Sequence, residues 1–161
     1  MTLSVGDRIP NVKLMTMTGE GPKPVESGDV LGKGTVVLFA VPGAFTPTCS
    51  DHHLPGYVLR ADDLLAKGVD TIACVAVNDA FVMDAWGKAR GTGDKIVMLG
   101  DGNGEFAAAM GTELDASGFG LGTRSKRYAA ILEDGVVREF LVEGDGVGVS
   151  VSSVDTVLEK L

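Results

Sequence analysis

Apolar runs and one-sided apolar spacings alternate along this chain. Thr35-Val-Val-Leu-Phe-Ala-Val41 is apolar almost throughout and rich in β-branched residues, as a strand covered on both faces should be. Val69-Asp-Thr-Ile-Ala-Cys-Val-Ala-Val77 has the same character. Between them Leu54, Tyr57, Val58, Ala61, Leu64 and Leu65 fall at offsets 0, 3, 4, 7, 10 and 11, which is one face of a helix. Pro55-Gly56 predicts a kink in this helix about two turns in, and Lys67-Gly68 predicts its end. Strand, helix, strand is a βαβ unit with a right-handed crossover.

Further on, Asn78-Asp79 caps a helix through Phe81, Val82, Ala85 and Trp86 that fades at Gly91-Thr-Gly93. Lys95–Leu99 reads as a short strand and Glu105–Met110 as a short helix ended by Gly111. Residues 112–127 carry no period and read as irregular. Tyr128–Glu133 and Val136–Val142 flank Asp134-Gly135, the strongest short hairpin signal. Ser152 or Ser153 caps a last helix through Val154, Val157, Leu158 and Leu161. Turns dominate residues 1–34, except for a short edge strand over Asn11–Met17. The order predicts an α/β layered fold with an antiparallel hairpin at one sheet edge. With no linker, repeat or low-complexity tract, residues 1–161 are expected to form a single domain.

Composition narrows the function classes. An apolar share of 45% over 161 residues supports a core without staples. A net charge of −8 and a pI near 4.6 argue against nucleic acid and anionic membranes as partners. Two cysteines are too few for a disulfide scaffold and fit a reducing compartment. No apolar stretch reaches the ~18–20 residues of a membrane span. Residues 1–30 lack both a signal-peptide core and a transit-peptide composition. The expected location is cytoplasmic, or an organelle stroma or matrix if a targeting segment has been removed.

Chemistry concentrates in Val41-Pro-Gly-Ala-Phe-Thr-Pro-Thr-Cys-Ser50. Pro42 and Gly43 stop the preceding strand. Thr46 is a favoured N-cap and Pro47 a favoured first helical residue, which puts Cys49 at the third helical position. Free N–H groups and the positive end of the helix dipole there favour a thiolate over a thiol. A buried structural cysteine is the common alternative, but Cys49 lies among Thr48, Ser50 and Asp51 rather than inside an apolar run.

Pro42-x-x-x-Thr46-x-x-Cys49 resembles the active-site signature of the peroxiredoxins. The longer string through Ser50, with His53-Leu-Pro-Gly-Tyr57 after it, resembles the type II, single-domain, glutaredoxin- or thioredoxin-linked branch. Val5–Pro10, Cys74–Val82 and Arg127–Gly135 extend the resemblance over essentially the whole chain. It implies a thioredoxin-like fold with insertions, a central mixed sheet flanked by helices. It also implies a thiol-dependent peroxidase acting on hydrogen peroxide and small alkyl hydroperoxides, with no cofactor. Cys49 would be the peroxidatic nucleophile and pass through a sulfenic acid. Thr46 would aim its hydroxyl at sulfur and peroxide, or simply cap the helix. Pro42 would cover the pocket, or simply end the strand. Arg127 would hold charge on the peroxide and stabilise the thiolate. It is preferred to Arg124 because the family's arginine directly precedes a strand; spacing alone leaves both open.

The family resemblance has one departure. Some members carry a resolving cysteine near the C-terminus, where Ser150-Val151-Ser152 stands here. Cys74 is the only other thiol and therefore the only internal resolving candidate, yet Ile72-Ala-Cys-Val75 reads as buried strand. Resolution is expected mainly from outside, by glutathione with glutaredoxin first and thioredoxin second. The branch also implies a homodimer, to which Phe45, Phe81 and Trp86 would offer an apolar face, or else simply pack in the core. A function from another class is a non-enzymatic peroxide sensor that relays oxidation to a partner protein, separable from the enzyme by turnover.

Other motifs fall short. Adjacent His52 and His53 point about 100° apart on a helix, so at most one faces Cys49, and no metal site is expected. Gly118-x-Gly120-x-Gly122 continues to Thr123 rather than to the sixth-position glycine of a dinucleotide loop. Asp101–Glu105 resembles a calcium loop, but Phe106 replaces its glycine. Cys49-Ser-Asp-His52 is not the C-x-x-C of a disulfide exchanger.

Overall fold

Residues 35–41 become the middle of a sheet because both faces of that sheet are covered. A computed structural model describes residues 2–161. In chain order the elements are β1 (Lys13–Thr18), β2 (Gly21–Glu26), α1 (Ser27–Val30), β3 (Thr35–Ala40), α2 (Leu54–Leu59), α3 (Ala61–Ala66), β4 (Thr71–Ala76) and α4 (Ala80–Arg90). They continue with β5 (Val97–Gly100), α5 (Glu105–Met110), β6 (Glu113–Asp115), β7 (Thr123–Ser125), β8 (Tyr128–Glu133), β9 (Val136–Val142) and α6 (Val154–Lys160). A seven-stranded sheet runs in the order β2-β1-β5-β4-β3-β8-β9. β3, β4 and β5 are parallel, and β8-β9 and β1-β2 extend them as antiparallel hairpins.

Alternate residues of each central strand feed opposite cores, which is why the strands read as continuous apolar runs. Val37, Phe39, Ile72, Cys74, Ala129 and Ile131 pack with Tyr57, Leu64, Trp86 and Val157 on one face. Val36, Leu38, Ala73, Val75, Ala130 and Leu132 pack with Leu31, Phe106 and Met110 on the other. Each fully buried aliphatic or aromatic side chain here is worth about 1.5–3 kcal/mol of transfer free energy. Moving β3 by one residue would exchange both sets at once, so the register is strongly held. Among the described residues, no helix is long and apolar enough to cross a membrane.

Several local signals act as expected. Asp79 accepts the Val82 N–H at 2.8 Å and starts α4, and Ser153 caps α6 through the Thr156 N–H. Asp134 (φ 49°) and Gly135 (φ 82°) are both left-handed, as a two-residue hairpin loop requires.

Three expectations are corrected. The N-terminal region holds a second strand, β2, despite Pro22 and Pro24; it lies at the sheet edge, where a missing ladder donor is tolerated. Residues 112–127 contain the small β6-β7 ribbon, whose three-residue strands are too short to show a period. The disturbance from Pro55 appears upstream of it. Lacking an N–H for the Asp51 carbonyl, Pro55 is preceded by a π-helical turn, Cys49–His53, in which the Leu54 N–H bonds the Cys49 carbonyl. A second break follows at Arg60, between α2 and α3.

Candidate active site

After β3 the chain turns through Pro42, Gly43, Ala44 and Phe45 and re-enters a helix at Pro47. The Thr46 carbonyl accepts the Ser50 N–H at 2.9 Å, so Thr46 stands at the N-cap position and Cys49 at the third helical residue. The Thr46 side chain, however, does not cap. Its hydroxyl donates to the Gly43 carbonyl at 2.6 Å and closes the loop instead. Phe45 holds a left-handed φ of 64°, a conformation that costs a non-glycine residue about 1–2 kcal/mol.

Neighbouring segments hold this loop in place. Asn78 Oδ1 accepts the Ala44 N–H at 3.0 Å. Arg124 donates to the carbonyls of Leu121 (2.9 Å), Val77 (3.3 Å) and Pro42 (3.5 Å), fastening the loop to the end of β4. Trp86 Nε1 donates to Ser50 Oγ at 2.9 Å from inside the core. Trp86 is fully buried and forms no part of a surface, which corrects its assignment to an exposed apolar face. Phe45 and Phe81, at 53% and 64% exposure, do lie outside.

Cys49 is 1% exposed, and Arg127, also 1% exposed, donates from Nη2 to its sulfur at 3.0 Å. Two more of the five Arg127 N–H groups reach fixed acceptors. Nε reaches the Val147 carbonyl at 3.0 Å and Nη1 lies 2.9 Å from His53 Nδ1. Since the guanidinium is donor-only, Nδ1 must accept, so the proton of neutral His53 sits on Nε2 and points to the Ser152 carbonyl at 3.0 Å. Burial, reinforced by the Arg127 charge, lowers the His53 pKa to about 3 and keeps the ring neutral. Tyr57 Oη donates to the same Ser152 carbonyl at 2.7 Å, stacks on Phe39 and meets His53 edge-on. The segment carrying Ser152 is tied to Glu143. Burial acts to raise that carboxyl, but hydrogen bonds from Ser152 and Ser150 outweigh it and hold the pKa below its usual value.

The structure thus brings Cys49 and Arg127 into contact, with Pro42 and Thr46 on the same loop. Cys74 stands on a different element within the same apolar cluster. That thiol is fully buried in β4, opposite Phe39 in the register, and both cysteines are free. Burial, followed by the proximity of Cys49, pushes the Cys74 thiol well above its ordinary value. His52 is exposed while His53 faces the site, as their adjacency requires. Among the described residues, no group of His, Cys, Asp and Glu is arranged to hold a metal.

Sequence reasoning did not give His53 its role as the partner of Arg127, although Cys49, His53 and Tyr57 recur every four residues along one helical segment, a usable signal. Nothing local marks Glu143 or the Ser152 carbonyl.

In the comparison with known families, the Redoxin model matches residues 4–158. The chain is 48% identical over 159 residues to Peroxiredoxin-2E, chloroplastic, of Arabidopsis thaliana, covering 96% of this chain and 68% of that one. It is 42% identical over 160 residues to Peroxiredoxin-2B of the same plant, covering 99% and 98%. Among solved structures, reduced Prx3 from Vibrio vulnificus in complex with hydrogen peroxide superposes with a TM-score of 0.94 at 48% identity, over 99% of each chain. The mixed sheet with its flanking helices is the thioredoxin-like fold of these neighbours. The chain belongs to the peroxiredoxins, in their type II branch, and is a thiol-dependent peroxidase.

Proposed function

We propose that Cys49 is the peroxidatic nucleophile, that Arg127 and Thr46 bind and polarise the peroxide, and that an external thiol completes the cycle. The observation that carries this reading is the 3.0 Å bond from Arg127 Nη2 to Cys49 Sγ in a buried setting at a helix start. A guanidinium and free helical N–H groups both favour negative charge on sulfur. The thiolate attacks one peroxide oxygen, the O–O bond breaks, and the distal oxygen leaves with the bonding pair and takes up a proton. Sulfur becomes a sulfenic acid, oxidised by two electrons, and the peroxide is reduced to water or to an alcohol and water over the full cycle. The Thr46 hydroxyl donates its hydrogen bond to the Gly43 carbonyl, so its oxygen is left to accept the O–H of a bound hydroperoxide. Arg127 meets charge developing on the peroxide oxygens. Pro42, buried beside the loop, keeps bulk water from the sulfur.

A small thiol then displaces water from the sulfenic acid to give a mixed disulfide, and a second thiol releases Cys49. Glutathione with glutaredoxin is the preferred donor, thioredoxin the second. Support comes from Cys74, whose burial in mid-strand makes it a poor resolver, and from Val151 between Ser150 and Ser152. Two exposed aromatics, Phe45 and Phe81, near the active-site loop support a homodimer through that face. Apolar clusters on both faces of one sheet support residues 1–161 working as a single domain. Two free cysteines support a reducing compartment, cytoplasmic or within an organelle.

A steady-state peroxidase assay with each reductant supplied separately tests the reading. Turnover should vanish in Cys49→Ser and persist in Cys74→Ser. Consumption of one peroxide per chain, with no reductant restoring activity, would instead make the protein a sensor.

A further inference from the structure

Glu143 follows β9, distant in sequence from Cys49, and makes no contact with it, yet it is 3% exposed and receives four hydrogen bonds. Its Oε2 accepts from the Ser150 N–H (2.8 Å), the Ser152 N–H (2.8 Å) and Ser152 Oγ (2.6 Å), and its Oε1 accepts from Ser150 Oγ (2.8 Å). A buried carboxylate of this kind requires such complete pairing, and in return it fixes the backbone that pairs with it. The backbone fixed here presents the Ser152 carbonyl, on which His53 Nε2 and Tyr57 Oη converge. That carbonyl anchors the His53 ring from its Nε2 side, and the anchored ring presents Nδ1 as the acceptor for Arg127 Nη1.

We propose that Glu143 is a positioning residue for the peroxide chemistry, latching the Ser150–Ser152 segment so that Ser152 and His53 orient the Arg127 guanidinium on Cys49. The inference rests on the roles given above to Cys49 and Arg127. Two features separate this action from general support of the fold. The Arg127 backbone is held independently, by the Glu143 N–H on its carbonyl (3.0 Å) and by its own N–H on the Gly146 carbonyl (2.7 Å), so loss of the carboxylate leaves it in place. Val147 is held separately as well, because its N–H bonds Asp145 Oδ1 at 2.9 Å. What the Glu143 side chain holds is the Ser150–Ser152 end, where it takes four bonds beside the one from Thr156 Oγ1 to the Ser150 carbonyl, and through that end the His53 ring.

The test compares Glu143→Gln with Glu143→Ala. A glutamine can keep the latch. Its oxygen takes the three donors on Oε2, and its amide N–H donates to Ser150 Oγ, which turns from donor to acceptor. Alanine removes the latch. Expected for Glu143→Ala is a loss of roughly tenfold or more in kcat/KM for hydrogen peroxide, against less than about threefold for Glu143→Gln. Nitrogen-15 spectra of the imidazoles should show the His53 Nε2–H hydrogen-bonded to the Ser152 carbonyl in the wild type and in Glu143→Gln, and an Nε2 resonance shifted by loss of that bond in Glu143→Ala. A merely structural role would move none of the His53 signals in the folded protein.

Retention of the wild-type His53 pattern and rate by Glu143→Ala would overturn the proposal. Equal impairment of both variants would overturn it too, by assigning the effect to the charge. Should Glu143→Ala not fold, the double variant Ser150→Ala/Ser152→Ala removes two of the four bonds, and it must show the same changes in smaller measure. The imidazole spectra need no turnover. A failed assignment of Cys49, seen as activity surviving Cys49→Ser, is therefore distinguishable from a failed latch.

Discussion

Replacing Arg127 by methionine removes a buried charge whose three hydrogen bonds run to Cys49, His53 and Val147. Its Nη2 lies 3.0 Å from sulfur, where it meets charge that the transition state spreads over sulfur and both peroxide oxygens. Loss of one preorganised donor at a developing oxyanion costs about 2.7–4 kcal/mol in comparable sites. At about 1.36 kcal/mol per factor of ten, the expected fall in kcat/KM is about a hundredfold to a thousandfold. Lysine should fall between, since it retains the charge but cannot reach Cys49, His53 and Val147 from one ammonium.

The assay is initial-rate peroxide consumption with saturating reductant, alongside thermal unfolding. The second measurement matters because methionine leaves the Val147 carbonyl and His53 Nδ1 unpaired, at about 1–3 kcal/mol each. Arg124→Met is the matched control. Its guanidinium bonds the carbonyls of Leu121, Pro42 and Val77, and none of its hydrogen bonds reaches sulfur. It should lose loop order and some rate, but less than Arg127→Met. A folded Arg127→Met variant within about threefold of wild type would refute the reasoning, since the transition-state contribution would then be under about 0.7 kcal/mol.

Three further outcomes are expected. Cys74→Ser should keep peroxide turnover and lose about 1–3 kcal/mol in urea unfolding through a hydroxyl placed in apolar strand packing, and the wild type should form no intramolecular disulfide on oxidation; equal loss of turnover in Cys49→Ser and Cys74→Ser would make Cys74 the resolver. His53 has a folded pKa of about 3 against 6.5 unfolded, so the unfolded chain binds its proton first. Its contribution is therefore complete above pH 6.5 and lost on acidification toward pH 3, at up to about 1.4 kcal/mol per pH unit, and His53→Gln should remove that part of the acid sensitivity in unfolding titrations. Trp86→Phe keeps most of the buried ring but removes the donor to Ser50 Oγ, for an expected loss of about 1 kcal/mol by denaturant midpoint.

Much of the fold was legible because burial on two faces writes itself into composition. β3 and β4 read as unbroken apolar runs, while the Asp134-Gly135 turn and the Asp79 cap rest on local backbone chemistry. The parts that were not legible lacked either property. β2 contains two prolines and gains its order only from pairing with β1 at the edge. The consequence of Pro55 was foreseen but misplaced, because a missing donor disturbs the carbonyl four residues earlier and the helix adjusts there as a π turn. Of the site, the position of Cys49 at a helix start follows from Thr46 and Pro47. The choice of Arg127 over Arg124 needed a resemblance, since both lie within a few residues of β8 and only the folded chain shows which guanidinium turns inward.

Cys49 and Cys74 make the physical distinction sharpest. Both belong to the same apolar cluster, and both are covered from solvent. Burial therefore does not separate the two thiols; the surrounding charge and backbone do. Cys74 lies mid-strand, where neighbouring N–H groups are committed to the ladder and desolvation dominates, pushing its thiol up. Cys49 lies where a helix begins, with a guanidinium on its sulfur that is itself held by a neutral histidine and a carbonyl. The element type around each cysteine was readable in advance. The buried carboxylate at Glu143 was not, because its meaning depends on a hydrogen-bonded chain through Ser152, His53 and Arg127 that closes only when β9, the helix after Cys49 and the segment before α6 meet.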